Sequence, residues 1–300
     1  WGIYDEAKKE NVDYRDNLRA NAYAVVKCPW ISGLSYRFNF AGNLNYRKAG
    51  DFTHESAFVP NGTYDDDNRY SVATQNSYLS SAGGNITNER TTSHVIDNIL
   101  NYNQTFGKHN IDLTAVATRD YKKYEYQNLS GSDFAANGNT VLGLNGIHYA
   151  TTQKISLNNW KQTNIGYFGR ASYSFSDTYY LTASYRRDGS SVFGVNNKWG
   201  NFGAVGAAWR ITNETFMKKA DFLNDMKLKL SWGKNGNRAV DTYAAFMQLS
   251  PRKYLYVDPA TGKLITINTF YAMTMANPNL KWESTVSWNA GLDFTLLKGR

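Results

Sequence analysis

The side chains best suited to chemistry are few and scattered in this sequence. The four histidines, His54, His94, His109 and His148, lie far apart, in loops or near strand ends, without metal-ligand spacing. Cys28 is the only cysteine, so there is no internal disulfide framework, and it reads as a small apolar residue near a strand end. No G-x-S-x-G marks a nucleophile elbow. Residues 233–237 (GKNGN) lack the Gly, Lys and Ser/Thr spacing of a phosphate loop. Asp65-Asp66-Asp67-Asn68 clusters hard oxygen ligands that suit calcium in an outer loop, although a solvated acidic loop is the simpler reading. No other cofactor and no metal site are expected, and the chain does not read as an enzyme.

The remaining candidates are binding residues, and they fall on one parity. Arg170, Arg186, Asp188, Lys227, Lys229, Lys281, Glu283 and Asp293 alternate with apolar residues. Side chains of a strand alternate between faces, so this set is expected to share one inward polar face, which could pair with another part of the protein or meet a substrate. Tyr254, Tyr256, Phe270 and Tyr271 lie in a long connection, where aromatic rings suit stacking on sugar rings. Arg170, Arg186, Asp188, Tyr254, Tyr256 and Tyr271 are therefore the candidate substrate contacts. A structural reading is simpler: Arg186-Arg187-Asp188 and Gly189-Ser190-Ser191 order a strand-to-loop transition, and loop aromatics need no ligand.

The elements that carry these residues are most legible over 165–211. Ile165, Tyr167, Gly169, Ala171, Tyr173 and Phe175 oppose Gly166, Phe168, Arg170, Ser172 and Ser174. After a Ser176-Asp177 turn, Tyr179, Leu181, Ala183 and Tyr185 oppose Thr182, Ser184, Arg186 and Asp188. A third strand places Val205, Ala207, Trp209 and Ile211 on its apolar parity. The same alternation predicts strands over 18–28, 34–47, 91–106, 111–128, 226–234 and 280–297, about nine in all. A short helical turn is expected over 212–225, with Thr212 and Asn213 as N-caps.

Short turns near 29–33, 107–110, 176–178 and 212–225 alternate with long connections near 49–90, 129–162, 189–198 and 235–279. Strands of ten residues or more, aromatic ends to the apolar faces and alternating connection lengths mark a transmembrane antiparallel up-and-down β-barrel. Tyr179, Tyr185, Trp209, Trp232, Trp282 and Trp288 form its expected lipid-facing girdle, with Leu181, Leu292 and Phe294. A large soluble β-sandwich or propeller is the alternative.

Composition agrees. Aromatics make up 15% of 300 residues, led by 22 Tyr. The mean hydropathy of −0.55 looks soluble, but a wall with one wet face and polar loops hides from such an average. No run approaches the roughly 18 apolar residues of a membrane helix. The formal charge of +8 is dispersed and no nucleic-acid motif accompanies it, so headgroup or loop contacts explain it more simply than nucleic acid. The N-terminal residues have no apolar signal-peptide core, so an export signal is expected upstream and the chain reads as an internal piece.

FGRASYSFSDTYYLTASYRRDGSSVFG (168–194), KWGNFGAVGAAWRITNETFM (198–217), FLNDMKLKLSWGKNGN (222–237) and NPNLKWESTVSWNAGLDFTLLKGR (277–300) together resemble the barrel of SusC-like TonB-dependent outer-membrane receptors. The turn TFGKHN (105–110) resembles it more loosely. Gly203 stands where that family usually has a proline, and Lys234-Asn235 replaces a small-residue pair. The resemblance implies a 22-stranded parent barrel with an N-terminal plug, of which residues 1–300 supply part of the barrel domain and none of the plug. It implies import of a glycan or peptide through the outer membrane of a Gram-negative bacterium. TonB would act through the parent's plug, a SusD-like surface lipoprotein would be the partner, and outer-membrane lipid would surround the wall. A passive porin and, less favoured, an outer-membrane barrel enzyme are the rival readings. No ligand-contacting residue carries over by motif.

Overall fold

The computed structural model describes residues 9–54, 62–64, 70–72, 82–134, 139–217 and 223–296. Its strands are β1 (Lys9–Lys27), β2 (Leu34–Thr53), β3 (Gly62–Tyr64), β4 (Tyr70–Val72), β5 (Gly83–Phe106), β6 (His109–Phe134), β7 (Ala150–Phe175), β8 (Tyr179–Ser190), β9 (Trp199–Arg210), β10 (Leu223–Asn237), β11 (Gln248–Val257), β12 (Leu264–Thr274) and β13 (Glu283–Leu296). Nine of them form one sheet in the order β1-β2-β5-β6-β7-β8-β9-β10-β13. The nine-strand antiparallel meander is therefore as expected from sequence. β3–β4 and β11–β12 are separate hairpins set within long connections. Among the described residues β1 and β13 each pair on one side only, so the sheet is open.

The strands are longer than the alternation suggested. β5, β6 and β7 run 24, 26 and 26 residues, so much of the expected loop 129–162 is ladder. About ten residues cross a bilayer. Beyond that span both faces meet water, the period-two apolar signal disappears, and backbone pairing alone continues the strand. Within the stretch expected to hold a short helical turn, the described residues form two 3-10 turns, Ile211–Asn213 and Thr215–Met217, and residues 218–222 lie outside the described residues. Thr212 does not cap them. Its hydroxyl donates to Asp225 Oδ1 at 3.1 Å and accepts from the Met226 N–H at 3.3 Å, which fixes the start of β10. The acidic cluster 65–68 lies outside the described residues.

The chain divides into two compact units, residues 1–20, 42–94 and 122–161 in one and residues 21–41, 95–121 and 162–300 in the other. In the first unit the buried residues Phe52, Ala82, Ile147 and Ala150 mark the end where the connections are long. Phe52 meets Phe134 edge-on at 5.5 Å. Gly84 is needed there, because a Cβ would fall 2.4 Å from the Asp51 carbonyl.

In the second unit the short turns lie together. The Asn103 N–H donates to the Gly33 carbonyl, Ser176 N–H to Lys108, and Asn213 Nδ2 to Asp177. Gly33 takes φ +82° and Gly107 +59°, conformations open to glycine. Ser176 and Asp177 both sit at φ +51°, as the tight β7–β8 turn requires. Val192, Phe193, Phe202 and Ala245 are this unit's buried apolar residues, all at the other strand ends. Between the two strand ends of this unit, the described residues form a single layer with no buried apolar residue.

Candidate functional site

Register fixes what each face of the second unit carries. Trp232 stands between Val205 and Trp288, Leu228 between Trp209 and Leu292, and Leu181 between Tyr173 and Ala207. Directly paired residues share a face, so these form one continuous apolar surface. Trp288, Phe294, Leu181, Leu292 and Tyr185 are all exposed, Trp288 to 78%. Trp209 and Trp232 are half-buried against their neighbours.

Both borders of this surface are aromatic and polar. At the short-turn border Tyr179 Oη and Trp209 Nε1 donate to Glu214 Oε1 at 2.5 and 3.0 Å. At the other border Tyr167 stacks on Trp199, whose ring carries the Arg187 guanidinium at 5.0 Å, and Tyr185 Oη donates to Asn201. Tyr179 and Arg187 are separated by eight residues on β8, roughly 26 Å at ~3.3 Å per residue. With strands tilted by ~35–45°, that rises roughly 20 Å across the membrane, comparable to the ~25 Å apolar band of an outer-membrane barrel with its two aromatic girdles.

Trp282 departs from the expected girdle. It shares parity with Trp288 but precedes β13, where the strand's alternation no longer applies. It packs on Phe193 at 4.7 Å and Phe202 at 5.4 Å, and donates Nε1 to the Lys198 carbonyl. Phe202 pairs with Arg186 and so lies on the polar face.

That polar face holds a cavity of about 670 Å³. It gathers Arg186, Asp188, Asp120, Asn164, Phe202, Trp282 and Arg238. Arg186 Nε donates to Asp188 Oδ2 at 2.6 Å across the i, i+2 spacing of one strand. Gly166 makes room for that pair, since a Cβ would stand 2.6 Å from Asp188 Oδ1. Asn164 Nδ2 donates to Asp120 at 2.8 Å and its Oδ1 accepts Ser190 Oγ at 2.7 Å. Phe202 covers Gly236, where a Cβ would fall 2.1 Å from the ring.

Of the six candidate contacts, the cavity takes Arg186 and Asp188. Arg170 sits further toward the short turns and donates to Ser172 Oγ at 3.2 Å. Tyr254, Tyr256 and Tyr271 lie on the β11–β12 hairpin, where register places them on one face with Ile265 and Ile267. All three are exposed. Sequence reasoning missed Asp120, Asn164, Phe202 and Arg238. Polar parity was available for the first two, but only the ladder shows which of many polar-face residues meet.

Two consequences are measurable. Leu181→Lys, in the middle of the apolar band, should cost about 2–4 kcal/mol of barrel stability, whereas Ser184→Lys on the polar face should cost little. Reversible denaturant unfolding in lipid vesicles separates them, and equal losses would contradict the assignment of faces. The second concerns Glu214, in the turn. The hydrogen bonds from Tyr179 and Trp209 lower its carboxyl below the ordinary carboxylate range. A depressed folded value means the contribution is complete above the unfolded pKa of ~4.3 and is lost as pH falls through the folded one. Trp209 emission should therefore change only on acidification below ~4.3, and Glu214→Gln should abolish that change.

A single-layer antiparallel sheet with an aromatic-bordered apolar band on one face and charged residues on the other defines the wall of a membrane β-barrel. The chain belongs to the family described as TonB dependent receptor-like, beta-barrel, whose model matches residues 4–300. It is SusC-like. It is 38% identical over 143 residues to the TonB-dependent receptor SusC of Bacteroides thetaiotaomicron, covering 47% of this chain and 14% of that protein. It is 29% identical over 297 residues to the TonB-dependent receptor P26 of Formosa agariphila, covering 92% of this chain and 29% of that one. The structure of the RagAB peptide transporter shares the fold, with a TM-score of 0.72 at 22% identity, over 99% of this chain and 30% of that one. The chain thus spans less than a third of the length of these relatives.

Proposed function

We propose that this chain forms part of the wall of an outer-membrane receptor that imports a nutrient, a glycan or a peptide, with energy relayed by TonB and with a SusD-like surface lipoprotein as partner. The apolar band and its two aromatic borders carry the reading. They set the sheet in a bilayer, and family membership supplies the class of importer rather than enzyme. The polar face then borders the passage. Arg186 and Asp188 are its substrate contacts on the wall, and the β11–β12 hairpin with Tyr254, Tyr256 and Tyr271 serves capture or lid contact.

The test is genetic. In the parent bacterium, deletion of the gene should abolish uptake of one nutrient class, and loss of TonB should reproduce the defect. Uptake that depends on the gene but not on TonB would make the protein a passive porin.

A further inference from the structure

The polar-face cavity contains two opposite charges that have no ionic partner among the described residues. Asp120 on β6 accepts Asn164 Nδ2 but has no cationic partner among the described residues. Arg238, one residue past β10, has no side-chain partner among the described residues. Its backbone is held in place, because the Val240 N–H donates to its carbonyl at 2.7 Å and Ala239 N–H to Asn237 Oδ1 at 3.2 Å. Arg186 and Asp188 stand on β8, between the two in sheet order, and neutralise each other. The lining is therefore neutral in sum and polarised across the strands.

The same polarity extends along the face. Asp97 and Asp112, on β5 and β6, accept from Thr118 and Asn103 but have no cationic partner among the described residues. β10 presents Lys227, whose ammonium lies 3.9 Å from the centre of the Tyr180 ring. Apolar surface is concentrated at the basic end, where Phe202 covers Gly236 two residues before Arg238 and meets Trp282.

We propose that this cavity is a subsite for an oligopeptide with free termini, its ammonium at Asp120, its carboxylate at Arg238 and an apolar side chain against Phe202 and Trp282. The inference rests on the import reading and chooses between its two substrate classes. A neutral hydroxylated ligand would hydrogen-bond to both groups but carry no charge to balance either of them. A zwitterion pairs both, and a planar guanidinium matches a carboxylate with two parallel hydrogen bonds. From β6 to β10 is four strand spacings, no more than about 19 Å along the sheet at ~4.8 Å each. An extended peptide at ~3.3–3.6 Å per residue fills that with up to about five residues.

The test uses the full-length receptor purified in detergent. It is offered a tryptic digest of casein, the same digest acetylated and amidated at its termini, and a mixture of maltodextrins. Ligand retained through gel filtration is identified by mass spectrometry. Free peptides should be retained, and blocking both termini should lower retention at least tenfold. Arg238→Gln and Asp120→Asn should each lower it at least fivefold, with Arg238→Lys recovering part. Arg238 is exposed just past β10, so its variant reports even if Asp120→Asn disturbs the Asn164 network. Equal retention of blocked and free digests, retention of maltodextrin without peptide, no retention of peptide, or an unchanged Arg238→Gln variant would each overturn the proposal. The import reading would survive any of these if deletion of the gene still abolished TonB-dependent uptake of some nutrient.

Discussion

Expressed by itself in detergent-free buffer, the 300-residue chain is expected in the insoluble fraction, with no soluble monomer to purify. Two features of the sheet require this. The first is its pair of open edges. Along β1 and β13 one side of the backbone has no partner among the described residues, and unpaired strand edges template association. The second is the apolar band. Trp288, Phe294 and Tyr185 are 78%, 60% and 55% exposed, and they belong to a continuous surface rather than to isolated positions. In a complete barrel the ladder closes and lipid covers the band. Nine strands in an open sheet do neither. Sedimentation and thermal melting check the point. A monodisperse monomer that melts cooperatively without detergent would show that the band is not a membrane surface.

Deleting residues 254–272 from the full-length receptor should abolish nutrient uptake while the barrel still assembles. The ladder explains why assembly survives. β10 and β13 pair from Leu223 with Leu296 to Asn237 with Glu283, with one register shift between Leu223 and Asp225, and none of those residues is removed. The deletion instead takes most of the β11–β12 hairpin, including the tip where Asp258 accepts Thr261 Oγ1 at 2.6 Å and the Ala260 N–H at 3.0 Å. Both faces of that hairpin expose apolar side chains. Tyr254, Tyr256 and Ile267 lie on one, Leu255, Leu264 and Phe270 on the other. A connection of this length with apolar rings on both sides is costly to leave in water, which supports its use in capture or lid contact. Surface labelling with an uptake assay decides the matter. Wild-type uptake by a deletion protein confirmed at the cell surface would leave the hairpin a spacer.

A smaller effect tests the packing at the cavity. Gly236→Val places a Cβ within the Phe202 ring, and overpacking of this kind costs about 1–3 kcal/mol. Lower thermal stability of the folded barrel in detergent should accompany the change, and Phe202→Leu in the same chain should recover part of the loss.

By itself the sequence determined the class of fold, the number of strands in the sheet and the division into faces. Alternation is a local property, and membrane strands need it because one side meets lipid and the other water, so Leu181, Tyr185, Trp232 and Trp288 were assigned without knowledge of any partner strand. Tight turns were legible for the same reason, since Gly33, Gly107 and the Ser176-Asp177 pair are local chemistry. Strand length beyond the bilayer was not legible, because a ladder between two wet faces leaves no hydrophobic period. Nor was the placement of Trp282, whose parity fits the girdle but whose ring follows the Phe193 and Phe202 contacts once β13 has ended. The tertiary structure alone decided that Asp120, Arg186, Asp188, Phe202 and Arg238 line one cavity. These residues come from three strands and the segment just past a fourth, spread over more than a hundred positions, and what joins them is the register of the ladder, a property of strand pairs that no single strand encodes.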